Sequence, residues 1–262
     1  MSPRANRFEL SILGGTTERR FNGLRAKLDF PWGALAATEL PDALRSDARA
    51  VWTRLAFVEY RSAAGMTAVA ETLIAARAPL DLTAIASSFA FDELSHAEMC
   101  ARVLGELGGA EPLYHLATDL IWRKPSLRLS PLLRATDIVV RVFCVAEAFA
   151  LPMAQITAKQ SSQLPLISAV LQRIAKDEAS HASFGWTFLD WASQWLTTRQ
   201  RGYLAHAAQE TIDAYRGMVD ERTDDHGATL GWLSDQDFKA VGTRALETDV
   251  CAPLRERGIL VH

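Results

Sequence analysis

The chain has 262 residues, 49% of them hydrophobic, a formal net charge of -3 and a mean hydropathy of +0.01. That length suits one large domain or two small ones, and the balance lacks the basic surplus that nucleic-acid binding calls for. No run of 18 or more uncharged apolar residues marks a membrane span.

In chain order, residues 1–40 read as an irregular arm with at most a short helix, because Gly14-Gly15, Gly23 and "DFPWG" (29–33) interrupt regular structure. From Pro41 the chain is rich in Ala, Leu and Arg with no proline before Pro79, which predicts one long helix. "APLDLT" ends it and starts a second helix, with Asp81 or Thr83 expected as N-cap and Gly108-Gly109 as the stop. A connection with a short helix around Leu113 to Trp122 follows. A third long helix is expected from Ser130-Pro131 to about Gln160, kinked at Pro152, and a fourth from Leu164-Pro165 to about Leu196. A further helix over about 200–219, the polar stretch "DERTDDHG" and a short helical tail complete the chain. The expected organisation is an arm (1–40) and a single helical domain (41–262), with a bundle over about 45–196 and an extension over about 200–262.

One polar hexapeptide occurs twice: "DELSHA" (92–97) and "DEASHA" (177–182). Residues i and i+3 of a helix share a face, so Glu93 points with His96 and Glu178 with His181. Apolar neighbours surround both pairs: Phe89, Ala97 and Cys100 on one helix, Leu171, Ile174 and Ala182 on the other. Burying such groups costs several kcal/mol each unless something compensates them, and a dication does so. A two-metal site needs carboxylates from the other two helices as well. The third helix offers Glu147, the sole acid between Asp137 and Asp177. The first offers Glu59 or Glu71. Glu147 precedes Glu178 by 31 residues, Glu59 precedes Glu93 by 34 and Glu71 precedes it by 22. Equal heights in two antiparallel hairpins require similar separations, which selects Glu59. The candidate metal ligands are therefore Glu59, Glu93, His96, Glu147, Glu178 and His181. Four carboxylates neutralise two dications, and an oxygen and nitrogen donor set suits iron or manganese. Asp92 and Asp177 each precede a ligand Glu, and are expected to accept the second N–H of a ligand imidazole, that of the opposite helix.

These six positions resemble the ferritin-like di-metal carboxylate superfamily, whose motif is Glu, Glu-x-x-His, Glu, Glu-x-x-His on a four-helix bundle; the resemblance spans residues 45–195. It implies an all-α, ferritin-like four-helix bundle with additional helices around a dinuclear centre of two irons, or of one iron and one manganese. It also implies an O₂-activating oxidase or oxygenase with a small organic substrate, a ferredoxin or flavin reductase as electron donor, and a homodimer. The other function that the resemblance offers is a ferroxidase or iron-binding protein without an organic substrate. Within the superfamily the ligand separations resemble those of the ribonucleotide reductase small subunit, its ligand-binding oxidase relatives and the desaturases. However, Cys100 stands where the reductase subunit carries its radical tyrosine. Ile174 replaces the third histidine of N-oxygenases resembling the p-aminobenzoate enzyme, and Leu151 the threonine of many hydroxylases.

Cys100, Cys144 and Cys251 are odd in number and far apart, so a reducing, cytoplasmic setting is expected, and the N-terminus shows no signal-peptide pattern. Cys100 and Cys144 fall on metal-facing arcs, where buried thiols usually pack inertly. Trp52 reads as core, and Tyr60 points away from Glu59. His115, His206, His226 and His262 lack the Glu-x-x-His context and read as surface or loop residues. Small residues near the expected ligands (Ala56, Ala63, Ala90, Ala97, Ala154, Ala175, Ala182 and Gly185) either leave room for a substrate or allow close helix packing.

Overall fold

The computed structural model describes residues 5–25, 27–122, 124–221 and 230–262. The fold is all-α. Helix α1 covers Gly15–Leu24, α2 Asp42–Ala75, α3 Leu80–Glu106, α4 Pro131–Val139, α5 Ala148–Gln160, α6 Pro165–Ser193, α7 Thr198–Glu221, α8 Asp235–Ala245 and α9 Ala252–Glu256. Among the described residues one two-stranded pairing joins β1 (Asn6–Arg7) to β2 (Tyr114–His115) in antiparallel register, Asn6 opposite His115. No helix among the described residues is long and apolar enough to cross a membrane.

Punctuation residues set the helix ends. Helix α2 closes with Arg77 in the left-handed region (φ 53°) and Ala78 N–H donating to the Leu73 carbonyl at 3.1 Å. Gly108 closes α3 at φ 97°, with Gly109 N–H donating to Leu104 O at 2.8 Å, as the Gly-Gly pair predicts. Ser130 caps α4 ahead of Pro131. Thr197 and Gln200 exchange backbone and side-chain hydrogen bonds before α7, which amounts to a capping box.

Three local expectations are corrected. The cap position of α3 is Pro79, not Asp81 or Thr83: its extended conformation leads directly into the helix, and Asp81 lies within the first turn. The short helix expected around Leu113 to Trp122 is confined to a 3₁₀ turn at Ala117–Leu120, because β1 pairs with the residues before it, β2. The third long helix is not a plain α-helix bent at Pro152. Between α4 and α5 runs a π-helical segment, Val140–Glu147, closed by Ala148 N–H donating to Phe143 O. The irregularity thus precedes the proline and ends on Glu147.

Helix α2 packs along α3, α5 along α6, and α3 and α6 also touch each other. The close approach of α6 to the π segment depends on Gly185. A β-carbon there would lie 2.6 Å from Phe143 Cβ and 3.1 Å from the Cys144 nitrogen. The arm is held on the outside of α3, where the Glu106 carboxylate accepts from the N–H groups of Gly33, Leu35 and Ala36 and Arg25 pairs with Glu98. Helices α7 and α8 pack behind the π segment and α5, around Leu204, Ile212, Phe149 and Leu246. His226 lies outside the described residues, as does most of the polar stretch that contains it.

Gly185→Ala should therefore lower the unfolding free energy by about 1–3 kcal/mol, the usual range for overpacking. A denaturant titration checks this, and an unchanged midpoint would contradict the close α6–π contact.

Candidate metal centre

Four helical segments each send at least one polar side chain into the same interior volume. Helix α2 supplies Glu59, α3 supplies Glu93 and His96, the last residue of the π segment supplies Glu147, and α6 supplies Glu178 and His181; all six are buried. They form two overlapping groups in which the potential ligand atoms lie within 4.8 Å of one another. One is Glu59, Glu93, His96 and Glu178; the other is Glu93, Glu147, Glu178 and His181. Glu93 and Glu178 belong to both. Glu71, the competing acid of α2, is exposed and pairs with Lys124.

Both imidazoles turn Nδ1 toward the carboxylates. His96 Nδ1 lies 3.3 Å from Glu59 and 3.4 Å from Glu178. His181 Nδ1 lies 3.2 Å from both Glu93 and Glu178 and 3.9 Å from Glu147. Both turn Nε2 the other way, toward the aspartate of the opposite helix. His96 Nε2 is 3.1 Å from Asp177 Oδ2, and His181 Nε2 is 3.6 Å from Asp92 Oδ2. The Asp177 carboxylate, hydrogen-bonded to His96, fixes that tautomer and raises its basicity, whereas Asp92 stands behind His181 at a distance longer than a hydrogen bond. The Phe89 ring stands edge-on to His181 at 4.4 Å between centroids and limits its rotation.

Arg173 Nε donates to Asp177 at 2.7 Å and thereby fixes the carboxylate behind His96. This residue was not singled out in the sequence, although its i,i+4 spacing to Asp177 was visible there. The π segment has no such signal; what the structure shows there is the close approach of Gly185 to Phe143 and Cys144.

Electrostatics describes a cluster short of positive charge. Burial and the neighbouring Glu178 carboxylate push Glu93 up to about 8, and the same two causes push Glu147 well above the carboxylate range. For Glu178 burial acts upward, but hydrogen bonds with Glu147 and His181 outweigh it and bring the group down to about 2. Burial acts downward on His96, and its hydrogen bond to Asp177 together with the nearby Glu59 carboxylate overcomes that and holds it well above its ordinary value. His181 is raised in the same way, by Asp92, Glu178 and Glu93 against burial. Protons are thus drawn onto groups that cations would otherwise neutralise.

The donor set fits a pair of cations. Glu93 Oε1 lies 3.2 Å from His181 Nδ1 and His96 Nδ1 lies 3.3 Å from Glu59, yet neither contact has hydrogen-bond geometry, so both buried atoms lack a satisfied partner. An orphaned buried polar atom costs about 1–3 kcal/mol, and a metal ion placed among the carboxylates satisfies both. The ligand atoms are oxygen and nitrogen only. Cys100 and Cys144 are buried, and burial pushes both thiols up, away from thiolate chemistry.

Beside the cluster lies a cavity of about 420 Å³ lined by residues that include Leu24, Phe91, Met99, Arg173, Asp92 and Asp177. It reaches the aspartates behind the imidazoles. None of the small residues noted near the ligands lines it; Gly185 instead serves close packing. Of the remaining candidates, Trp52 is core, its Nε1 donating to Leu230 O at 2.8 Å, and Tyr60 stacks near Phe8. His115 packs against Phe8 and Phe57, while His206 and His262 are exposed.

Comparison of the chain with family models, with curated proteins and with solved structures finds no match.

Two outcomes follow from this geometry. Asp177→Asn should weaken divalent-metal affinity by about 10–100-fold while the fold is retained, as read by competitive metal titration and circular dichroism. Glu93 is pushed up to about 8 and Glu147, His96 and His181 are raised as well, so bound cations must displace protons, and more of them as pH falls below 8. Affinity should therefore fall as pH drops from 8.5 to 6, and calorimetry in buffers of different ionisation heat should show proton release at the lower pH. A pH-independent affinity would contradict the protonated state of the cluster.

Proposed function

We propose that the chain is a ferritin-like four-helix-bundle protein that holds a dinuclear iron, or iron–manganese, centre and acts as an O₂-dependent oxidase or oxygenase on a small organic substrate. The observation that carries this reading is the pair of overlapping ligand groups with Glu93 and Glu178 in common. One such group alone is compatible with many structural roles. Two that share two carboxylates form a site for two ions side by side, and the four carboxylates balance two dications.

In this reading Glu59 and His96 hold one ion, Glu147 and His181 hold the other, and Glu93 and Glu178 lie between them. When bound, a pair of redox-active metals supplies electrons to O₂ and acts as a Lewis acid. The chain supplies everything else. Asp177 and Asp92 orient the imidazoles, and Arg173 steadies Asp177. Phe89, Phe143 and Phe184 stack on one flank and exclude water there. The cavity has the volume of a small-molecule site. Its lining includes Asp92 and Asp177 but none of the six ligand residues, so by itself it does not bring a substrate against the metal-facing carboxylates, and a substrate at the centre needs a further opening. A ferredoxin or flavin reductase as donor, a homodimer and a cytoplasmic location belong to the same reading.

Anaerobic loading with ferrous iron followed by addition of O₂ tests it. Wild-type protein should bind two irons per chain and consume O₂ faster when a suitable small organic molecule is present, and Glu147→Ala should lose at least one iron and the O₂ uptake. Uptake of many irons per chain, with O₂ consumption indifferent to organic molecules, would identify a ferroxidase and contradict the organic-substrate reading.

A further inference from the structure

An unbroken file of aromatic rings leads from His181 to the surface. Phe89 lies 4.4 Å from the His181 ring, Phe184 lies 5.4 Å from Phe89, and Phe188 lies 6.3 Å from Phe184. Trp191 lies 5.3 Å from Phe188, and Trp195 lies 5.0 Å from Trp191 (all between ring centroids). The phenylalanines are buried, at 2%, 5% and 0% exposure for Phe89, Phe184 and Phe188, whereas Trp195 is 51% exposed. His181 and Trp191 are ten residues apart on α6, roughly 15 Å along its axis. The order of side chains is as telling as the spacing. Phenyl rings, which do not give up electrons readily but transmit electronic coupling, fill the inner part. Indoles, which can lose an electron, occupy the outer part.

We propose that Phe89, Phe184, Phe188, Trp191 and Trp195 form an electron route between the surface and the metal centre, with the two tryptophans as relays and a small water-soluble one-electron reductant as the outer donor. The proposal rests on the dinuclear reading above. Reduction of O₂ to two waters consumes four electrons and four protons. Two reduced metals that each change by one unit give two electrons. An organic substrate can give the other two; without it they must come from outside. Along this route they travel singly: Trp191 loses an electron toward the centre, Trp195 refills Trp191, and the reductant refills Trp195. Each indole ends in its starting state, two reductant molecules are each oxidised by one electron, and solvent supplies the protons. No covalent bond forms or breaks in the route.

The test mixes iron-loaded, reduced protein with O₂ in the absence of organic substrate, freezes it within milliseconds and records electron paramagnetic resonance spectra, with ring-deuterated tryptophan to identify the radical. Wild type should show an indole radical whose lifetime ascorbate shortens. Trp191→Phe should abolish the radical, while Trp195→Phe should keep it on Trp191 but slow its quenching by ascorbate roughly tenfold. Trp186→Phe, on the same helix but outside the file, should behave as wild type. Iron content and melting temperature, measured on every variant, separate loss of the route from loss of the fold. An undiminished radical in Trp191→Phe, quenching unaffected by Trp195→Phe, or a wild type that holds two irons and consumes O₂ yet forms no indole radical would overturn the route alone. A wild type that binds no iron pair would overturn the dinuclear reading and the route together.

Discussion

Four carboxylates in one buried volume repel one another. At an effective dielectric near 20, two unit charges 4 Å apart interact by about 4 kcal/mol, and removal of each ion from water adds several more. Glu59 with Glu93 and Glu178, and Glu147 with the same two, lie within 4.8 Å of one another in two groups, so their positions impose a demand for positive charge on the rest of the structure. Two imidazoles meet part of it. The remainder is met by protons when cations are absent, as the upward displacement of Glu93 and Glu147 records. Replacement of those protons by two dications is the exchange around which the proposed chemistry turns.

Helices α3 and α6 carry the arrangement that makes this exchange orderly. Each contributes one Glu-x-x-His pair and one aspartate, and each aspartate faces the other helix's histidine. Asp177 of α6 thus holds the imidazole of α3 by a hydrogen bond while Asp92 faces that of α6 from farther off, and neither half-site is complete without the other because Glu93 and Glu178 belong to both. Glu147 enters from the end of a π turn seated against Gly185, a position where the backbone departs from α-geometry and redirects its side chain. Such single-turn irregularities are uncommon and concentrate at functional positions.

Much of this was legible in the amino-acid order, and the reasons differ from residue to residue. The ends of α2, α3, α4 and α6 were readable because Pro41, Gly108-Gly109, Pro131 and Pro165 act locally. Glu93, His96, Glu178 and His181 were readable because polar groups repeated on apolar helix faces are expensive. Preference for Glu59 over Glu71 needed an argument about equal heights in two hairpins. The cap of α3 was misassigned although Pro79 stands directly before the helix, the strand at Tyr114–His115 was not readable because it depends on the distant β1, and no local pattern marks the π segment. The cavity and the ring file depend on the antiparallel register of α3 and α6, visible in the contacts of His96 with Asp177 and Phe89 with Phe184, and no local pattern encodes that register.

Diffraction from crystals of the iron-loaded protein, with data collected on both sides of the iron absorption edge, tests the charge-compensation account most directly. It predicts two anomalous peaks, one within the group of Glu59, Glu93, His96 and Glu178 and the other within that of Glu93, Glu147, Glu178 and His181. Absence of both peaks, or iron bound elsewhere in the chain, would contradict it.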